Sequence, residues 1–272
     1  MPKTVSGIES IINSAISLPM VKVDREDFLT KQLHKIVSLR TLQNALRNGT
    51  IQAKIPQNVL DYLAKNAVKL ETTKVTAIST AAGILGGPAM LVTVPADLTQ
   101  FYAHVFRIAQ KLAYIYGWKS FDAYDDGMEN VLTLFLGVMS GVSLAEKAHM
   151  RVAVANAPKI GARVAAKPLT KGALYPIIKK IVAALGGKLT KPIVGQAVAK
   201  GVPIISGVFS GCMTIATFAP MANKLKIYLS KLSQMSVEDF AEVLKDGIIF
   251  DEPVENENVI YVAEESHKED NE

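Results

Sequence analysis

Three stretches of this chain carry no charged residue, and each holds two glycines four apart. They run from Val75 to Ala96, Asn130 to Ala145 and Gly201 to Asn223, with the pairs Gly83/Gly87, Gly137/Gly141 and Gly207/Gly211. The second and third pairs sit in near copies, GVMSG and GVFSG. On a helix, residues four apart share a face. Two glycines there leave a groove that a second helix backbone can enter, a packing mode common among helices in lipid. The six glycines are therefore read as helix-packing positions in a set of close-packed apolar helices.

Composition places the chain between two classes. Hydrophobic residues make up 49% of its 272 residues and the mean hydropathy is +0.23, yet 20% of residues are charged. That is apolar for a soluble protein and too charged for a polytopic membrane protein. The length suits one large helical domain. Charge is unevenly placed: Asp251 to Glu272 holds nine acids and one lysine, a net of −8, and the remaining 29 basic and 16 acidic residues leave the body at +13. A basic body implies anionic partners. Its lysines alternate with apolar and small residues and few aromatics, which favours anionic membrane lipid and argues against nucleic acid. The single cysteine, Cys212, allows no intrachain disulfide and reads as a small core residue. The opening MPKTVSGIES lacks a basic region followed by an apolar run, so no secretory signal peptide is expected.

The apolar spacing predicts an all-α chain. Val5 to Ser17 reads as a short amphipathic helix ended by Leu18-Pro19. A second helix starts at Asp24, with Asp27 three residues on, and runs to Arg47, where Asn48-Gly49 stops it. A third starts near Pro56 and passes into the first uncharged stretch. Gly86-Gly87-Pro88 should interrupt that stretch, with a new start at Pro95-Ala96-Asp97. Leu98, Phe101, Val105, Ile108, Leu112 and Ile115 then mark a long amphipathic helix ended by Gly117. Phe121 to Met128 is polar and turn-like. Asn130 to Ala145 is a second uncharged helix, short for a span, which needs about 20 residues. Lys147 to Lys200 is basic and divided by prolines. The stretch from Gly201 to Asn223 is long enough to span, with Pro203 and Pro220 near its ends. Ser236 caps a short amphipathic helix, and the acidic tail holds one candidate strand, NVIYVA, and is otherwise expected to be disordered.

The expected organisation is a single glycine-rich apolar bundle: amphipathic helices over 1–56, an apolar helical domain over 57–235, a short helix over 236–250 and the acidic tail over 251–272.

The segment VPADLTQFYAHVFRIAQKLAYIYGW resembles a motif of the EcsC family of bacterial proteins, in which a proline and small residues precede a long helix ending in Tyr-Gly-aromatic. The matching residues are Pro95, Asp97, Ile108, Gln110, Ala113, Tyr116, Gly117 and Trp118. KGVPIISGVFSG, Lys200 to Gly211, resembles the family's later glycine-rich block. The resemblance covers roughly residues 57 to 230. It implies a bacterial, helical, membrane-linked protein, in a family named for a protein encoded beside an ABC transporter, and it brings over no catalytic residue.

Asp97 is a candidate functional acid, within a membrane or on a cation; the plainer reading is a helix N-terminal residue. Arg107 and Lys111, one turn apart, read equally as phosphate contacts or a solvated helix face. Asp125, Asp126 and Glu129 read as an acidic first turn, since a metal site wants more oxygen ligands in a defined loop. His104 and His149 lack a sequence-evident nucleophile partner. GGKLT at Gly186 to Thr190 lacks the leading glycine of a phosphate loop. The strongest partner signal is Lys179, Lys180, Lys188 and Lys191, spaced among apolar residues as in basic amphipathic segments that meet lipid headgroups. A lysine-covered bundle surface is the plainer reading.

The expectation is thus a non-enzymatic protein without cofactor or metal, peripheral to or partly inserted in a bacterial cytoplasmic membrane. It would bind or remodel an anionic surface and support a transporter or a stress response. Two alternatives stay open: a hydrolase-like enzyme with a pocket near Asp97, His104 and Arg107, and a pore-forming protein that inserts from a soluble bundle.

Overall fold

Helix ends in this chain are fixed by residues that satisfy the free end groups. The structure, a computed structural model, describes residues 3–84, 90–118, 127–155, 176–181, 183–184, 203–236, 238–240 and 242. Its elements are α1 (Lys3–Ile16), a 3-10 turn (Pro19–Val21), α2 (Arg25–Leu33), α3 (Leu39–Asn48), α4 (Gln57–Ile84), α5 (Met90–Ile115), α6 (Gly127–Ser140), α7 (Ser143–Ala155) and α8 (Pro203–Leu232). Residues 176–181 are also helical. The described residues contain no strand, and the fold is all-α. The candidate strand NVIYVA and the whole acidic tail lie outside the described residues.

Asp24 caps α2 as expected, accepting from Asp27 N at 2.7 Å. The helix expected to continue to Arg47 instead breaks. β-Branched Ile36 and Val37 hold helix poorly, and Ser38 caps a separate α3 by accepting from Thr41 N at 3.2 Å. At Gly49 the φ of 96° and a close approach coincide: a Cβ there would stand 2.7 Å from the Gly117 carbonyl oxygen. Arg25 ties the same corner, donating to the carbonyls of Ala45, Leu46 and Trp118 at 3.0, 2.6 and 3.0 Å. A guanidinium there meets the carbonyl ends of α3 and α5, where the helix dipoles favour positive charge.

Two further boundaries correct the reading from sequence. The new start expected at Pro95 falls inside α5, which begins at Met90. The uncharged helix expected to reach Ala145 ends at Ser140. Val142 N donates to Gly137 O at 2.9 Å and Gly141 N to Val138 O at 3.1 Å, with Gly141 at φ 85°. That is the left-handed closure that glycine allows most cheaply. Gly137 and Gly141 therefore do not share a helix face. α8 starts at Pro203 as a first-turn proline should, but runs unbroken through Pro220 for 30 residues. Among the described residues, no helix is long and apolar enough to cross a membrane.

The centre of the molecule is α5. From Phe101 to Tyr116 every residue except half-buried Arg107 is buried, so the helix expected to be amphipathic is enclosed on all sides. α4 runs antiparallel to it, Asp61 meeting Tyr116 and Glu71 meeting His104. α8 runs antiparallel to α4, its Ser230 meeting Gln57 and Asp61 near the start of α4. α1, α2 and the 3-10 turn close another side of α5, and α6 and α7 pack beyond. Ile12, Val21, Leu29 and Leu42 of the N-terminal helices join one core with Phe106, Leu112, Phe135 and Phe218. Each such side chain contributes on the order of 1.5–3 kcal/mol by burial.

Candidate functional site

Two features stand out: an ionic cluster inside the molecule and a lysine-rich face outside it. The cluster is built around Glu71 of α4, whose side chain is 0% exposed. His104 Nδ1 lies 2.6 Å from Glu71 Oε1, and Arg107 Nε lies 3.5 Å from the same oxygen. Lys111 donates to Oε2, and Arg107 also reaches the Met20 carbonyl. His104, Arg107 and Lys111 lie on one face of α5 because residues three, four and seven apart do. Burial alone would push the Glu71 carboxyl up. The His104 hydrogen bond and the charge and hydrogen bond of Lys111 outweigh it and hold the carboxyl at about 2. Burial pushes the Lys111 ammonium below its ordinary value, with Glu71 opposing.

With the carboxylate as acceptor, His104 Nδ1 carries the proton. Nε2 is buried and hydrogen-bonds nothing. A general base must reach the proton it takes, and no described group stands there. The cluster's evident work is to lock α4 against α5 and the 3-10 turn. Of the residues in the pocket considered from sequence, His104 and Arg107 do meet, on a glutamate that the sequence did not single out. Asp97 lies in α5, and its side chain is outside the described residues.

Other residues of the Tyr-Gly segment also have packing roles. Gln110 donates to Val21 O at 2.8 Å and accepts from Val23 N at 3.1 Å, which holds the turn before α2. Tyr116 donates to Asp61 Oδ1 at 2.8 Å, and Ser230 donates to the same oxygen at 2.9 Å, so α4, α5 and α8 meet at one carboxylate. Trp118 stacks on His149 with centroids 4.8 Å apart and planes at 24°. His149 Nδ1 is 2.9 Å from the Tyr228 hydroxyl, which donates to Glu146 O at 3.1 Å. Burial pushes the His149 pKa down to about 3, so the ring is neutral at pH 7.

The outer face belongs to α4 and α8. On α4, Tyr62 (60% exposed), Leu70 (55%) and Ile78 lie among Lys65, Lys69 and Lys74. The two acids of α4 are withdrawn from this face, Glu71 inside and Asp61 half-buried under Tyr116. α8 contains no acid; it exposes Ile215, Ile227 and Lys231, with Lys226 half-buried. The two helices lie side by side over α5, so their faces away from it adjoin. Among the described residues, no ion pair engages Lys65, Lys69, Lys74, Lys226 or Lys231; Lys224 does face Glu146, at 3.9 Å.

The remaining predicted residues are placed unevenly. Lys179 and Lys180 are exposed on the helical turn at 176–181, whose Ile177 and Ile181 are buried. Lys188, Lys191 and Gly87 lie outside the described residues, as do Asp125, Asp126 and Gly186 to Thr190. Gly83 is in the last turn of α4, and Gly207 and Gly211 are in the first turns of α8. At Gly137 a Cβ would fall 2.3 Å from Ala145 Cβ and 3.0 Å from Ile181 Cδ1, so the close neighbours are α7 and the 176–181 turn. No sequence signal marked Glu71; a glutamate on a helix that also carries Asp61 and three lysines, 33 residues before a histidine, has no diagnostic spacing. Compared with family models, curated proteins and solved structures, the chain matches none.

Proposed function

We propose that this chain is a non-enzymatic, membrane-associated helical protein that seats the outer faces of α4 and α8 on an anionic lipid surface. One observation carries the reading: two adjoining helix faces hold exposed lysines and large apolar side chains, and no exposed acid. Surfaces of that composition bind anionic bilayers by placing cations among headgroups and apolar groups at the acyl boundary. Lys179 and Lys180 add to the same charge without belonging to these helices. The EcsC-like segment supports the membrane link.

The test is sedimentation with vesicles of phosphatidylglycerol and phosphatidylcholine. The intact chain should pellet with the anionic mixture and stay behind with phosphatidylcholine alone. K65Q/K69Q/K74Q removes three charges worth about 1 kcal/mol each near such a surface, so its partitioning should fall by about two orders of magnitude. Equal pelleting of the variant and the parent sinks the assignment to this face. Recovery only in detergent would replace surface binding by insertion.

A further inference from the structure

We infer that the acidic segment Asp251–Glu272 docks on the lysine face of α4 and α8 and competes there with the anionic surface. The proposal rests on the reading of that face as an anion-binding surface and adds its regulation. Charge is the first argument. The segment carries −8, and the face offers Lys65, Lys69, Lys74, Lys226 and Lys231 with no carboxylate of the described residues paired to them. Lysines and apolar side chains are interleaved on the face. The segment has the matching order, acids on both sides of the apolar run Val259, Ile260, Tyr261 and Val262.

Reach is the second argument. α8 ends at Leu232, residues 238–240 and 242 are again helical and Phe240 is buried in the core, so the nine residues from 242 to Asp251 allow at most about 30 Å of extended chain. Ser230, near the end of α8, meets Asp61 near the start of α4, and Lys74 lies 13 residues further along α4, about 20 Å. Lys65, Lys69, Lys74, Lys226 and Lys231 are within range of the chain's own tail, and a tethered ligand meets them at an effective concentration near the millimolar range. Binding of the tail and of lipid headgroups draws on the same cations, so each excludes the other. The occupant favoured by this geometry is the molecule's own segment rather than a second copy's.

The test uses the full-length chain. Carbodiimide joins carboxylates to amines that already touch, and digestion with mass spectrometry maps the links. At about 0.05 M NaCl, tail carboxylates should link to Lys65, Lys69, Lys74, Lys226 and Lys231. The links should fade at about 0.5 M, where screening reaches only a few ångströms. The variant E255Q/E257Q/E264Q/E265Q, which keeps the folded body intact, should lose them and bind anionic vesicles about tenfold more tightly. Links spread evenly over all lysines, or none, overturn the docking. Links that appear only between two molecules and vanish on dilution also overturn it. The map needs no vesicle: failure of both chains to bind lipid would remove the membrane reading, and the links would still decide the docking.

Discussion

Glu71 is a buried carboxylate that outlasts its desolvation because two cations of α5, Arg107 and Lys111, and a hydrogen bond from His104 converge on it. Removing it leaves Arg107 and Lys111 facing each other without a counter-charge. E71Q should therefore cost about 3–5 kcal/mol in urea unfolding, and E71L/K111M distinctly less, since the pair goes together. Acid acts on the same residue. The carboxyl is held at about 2 in the fold against about 4.3 in an unfolded chain, so its contribution is complete above about pH 4.5 and disappears as pH falls toward 2. His149 acts earlier. Its ring, held near 3 by burial, is neutral in the fold, whereas the unfolded ring takes a proton below about 6.5. Between those values the unfolded state binds the extra proton, so stability is lost as pH is lowered, by up to about 1.4 kcal/mol per unit. H149F, which keeps the stack on Trp118, should flatten the stability profile between pH 6.5 and pH 4.5. An unchanged slope there would show that His149 is not shielded from protonation.

Elements in this chain end where their last carbonyls find partners, and among the described residues glycine supplies three of the closures, Gly49, Gly117 and Gly141. Gly141, at φ 85°, closes α6 and lets α7 turn back along it. G141A should lose about 1–2 kcal/mol from a left-handed residue with a Cβ, although the atom it would meet, Lys224 Nζ at 2.7 Å, is a flexible side-chain end that can move aside. At Gly137 the obstacle is rigid, Ala145 Cβ at 2.3 Å. G137A should cost about 1–3 kcal/mol by overpacking, and A145G in the same chain should recover part of it. A rise in melting temperature for G137A would mean that helix propensity outweighs the contact, against the geometry.

At the scale of the whole molecule, the +13 body and the −8 tail make every surface interaction depend on salt. Screening shortens to about 10 Å at 0.1 M and about 3 Å at 1 M. Vesicle binding by the α4 and α8 face should weaken steeply with NaCl, and a residue of binding should persist through Tyr62, Leu70 and Ile78. Y62S/L70S/I78S should remove that persistent part while leaving the low-salt slope, as measured by sedimentation across a salt series. A variant that changes only the slope would assign those side chains to packing against neighbouring chain rather than to the bilayer.

The sequence by itself determined that the chain is helical, where Asp24, Gly49, Gly117 and Ser236 interrupt or start helices, and that its acids and bases are segregated. These are local properties: caps, left-handed closures and composition act within a turn of chain. Only the tertiary structure decided that α5 is buried all round from Phe101 to Tyr116, because the period of Leu98 to Ile115 reports one apolar face and cannot say what covers the other. His104, Arg107, Gln110 and Lys111 read as polar face residues until Glu71 and the turn before α2 arrive from distant sequence to pair with them. Likewise, Gly137 and Gly141 look like one groove on paper. The reversal at Gly141 separates them: Gly137 faces Ala145 of α7, and Gly141 faces Lys224 of α8. The lysine face follows the same logic: its bases are plain in the sequence, but only folding turns Glu71 inward and lays α8 beside α4, leaving an outer surface without acid.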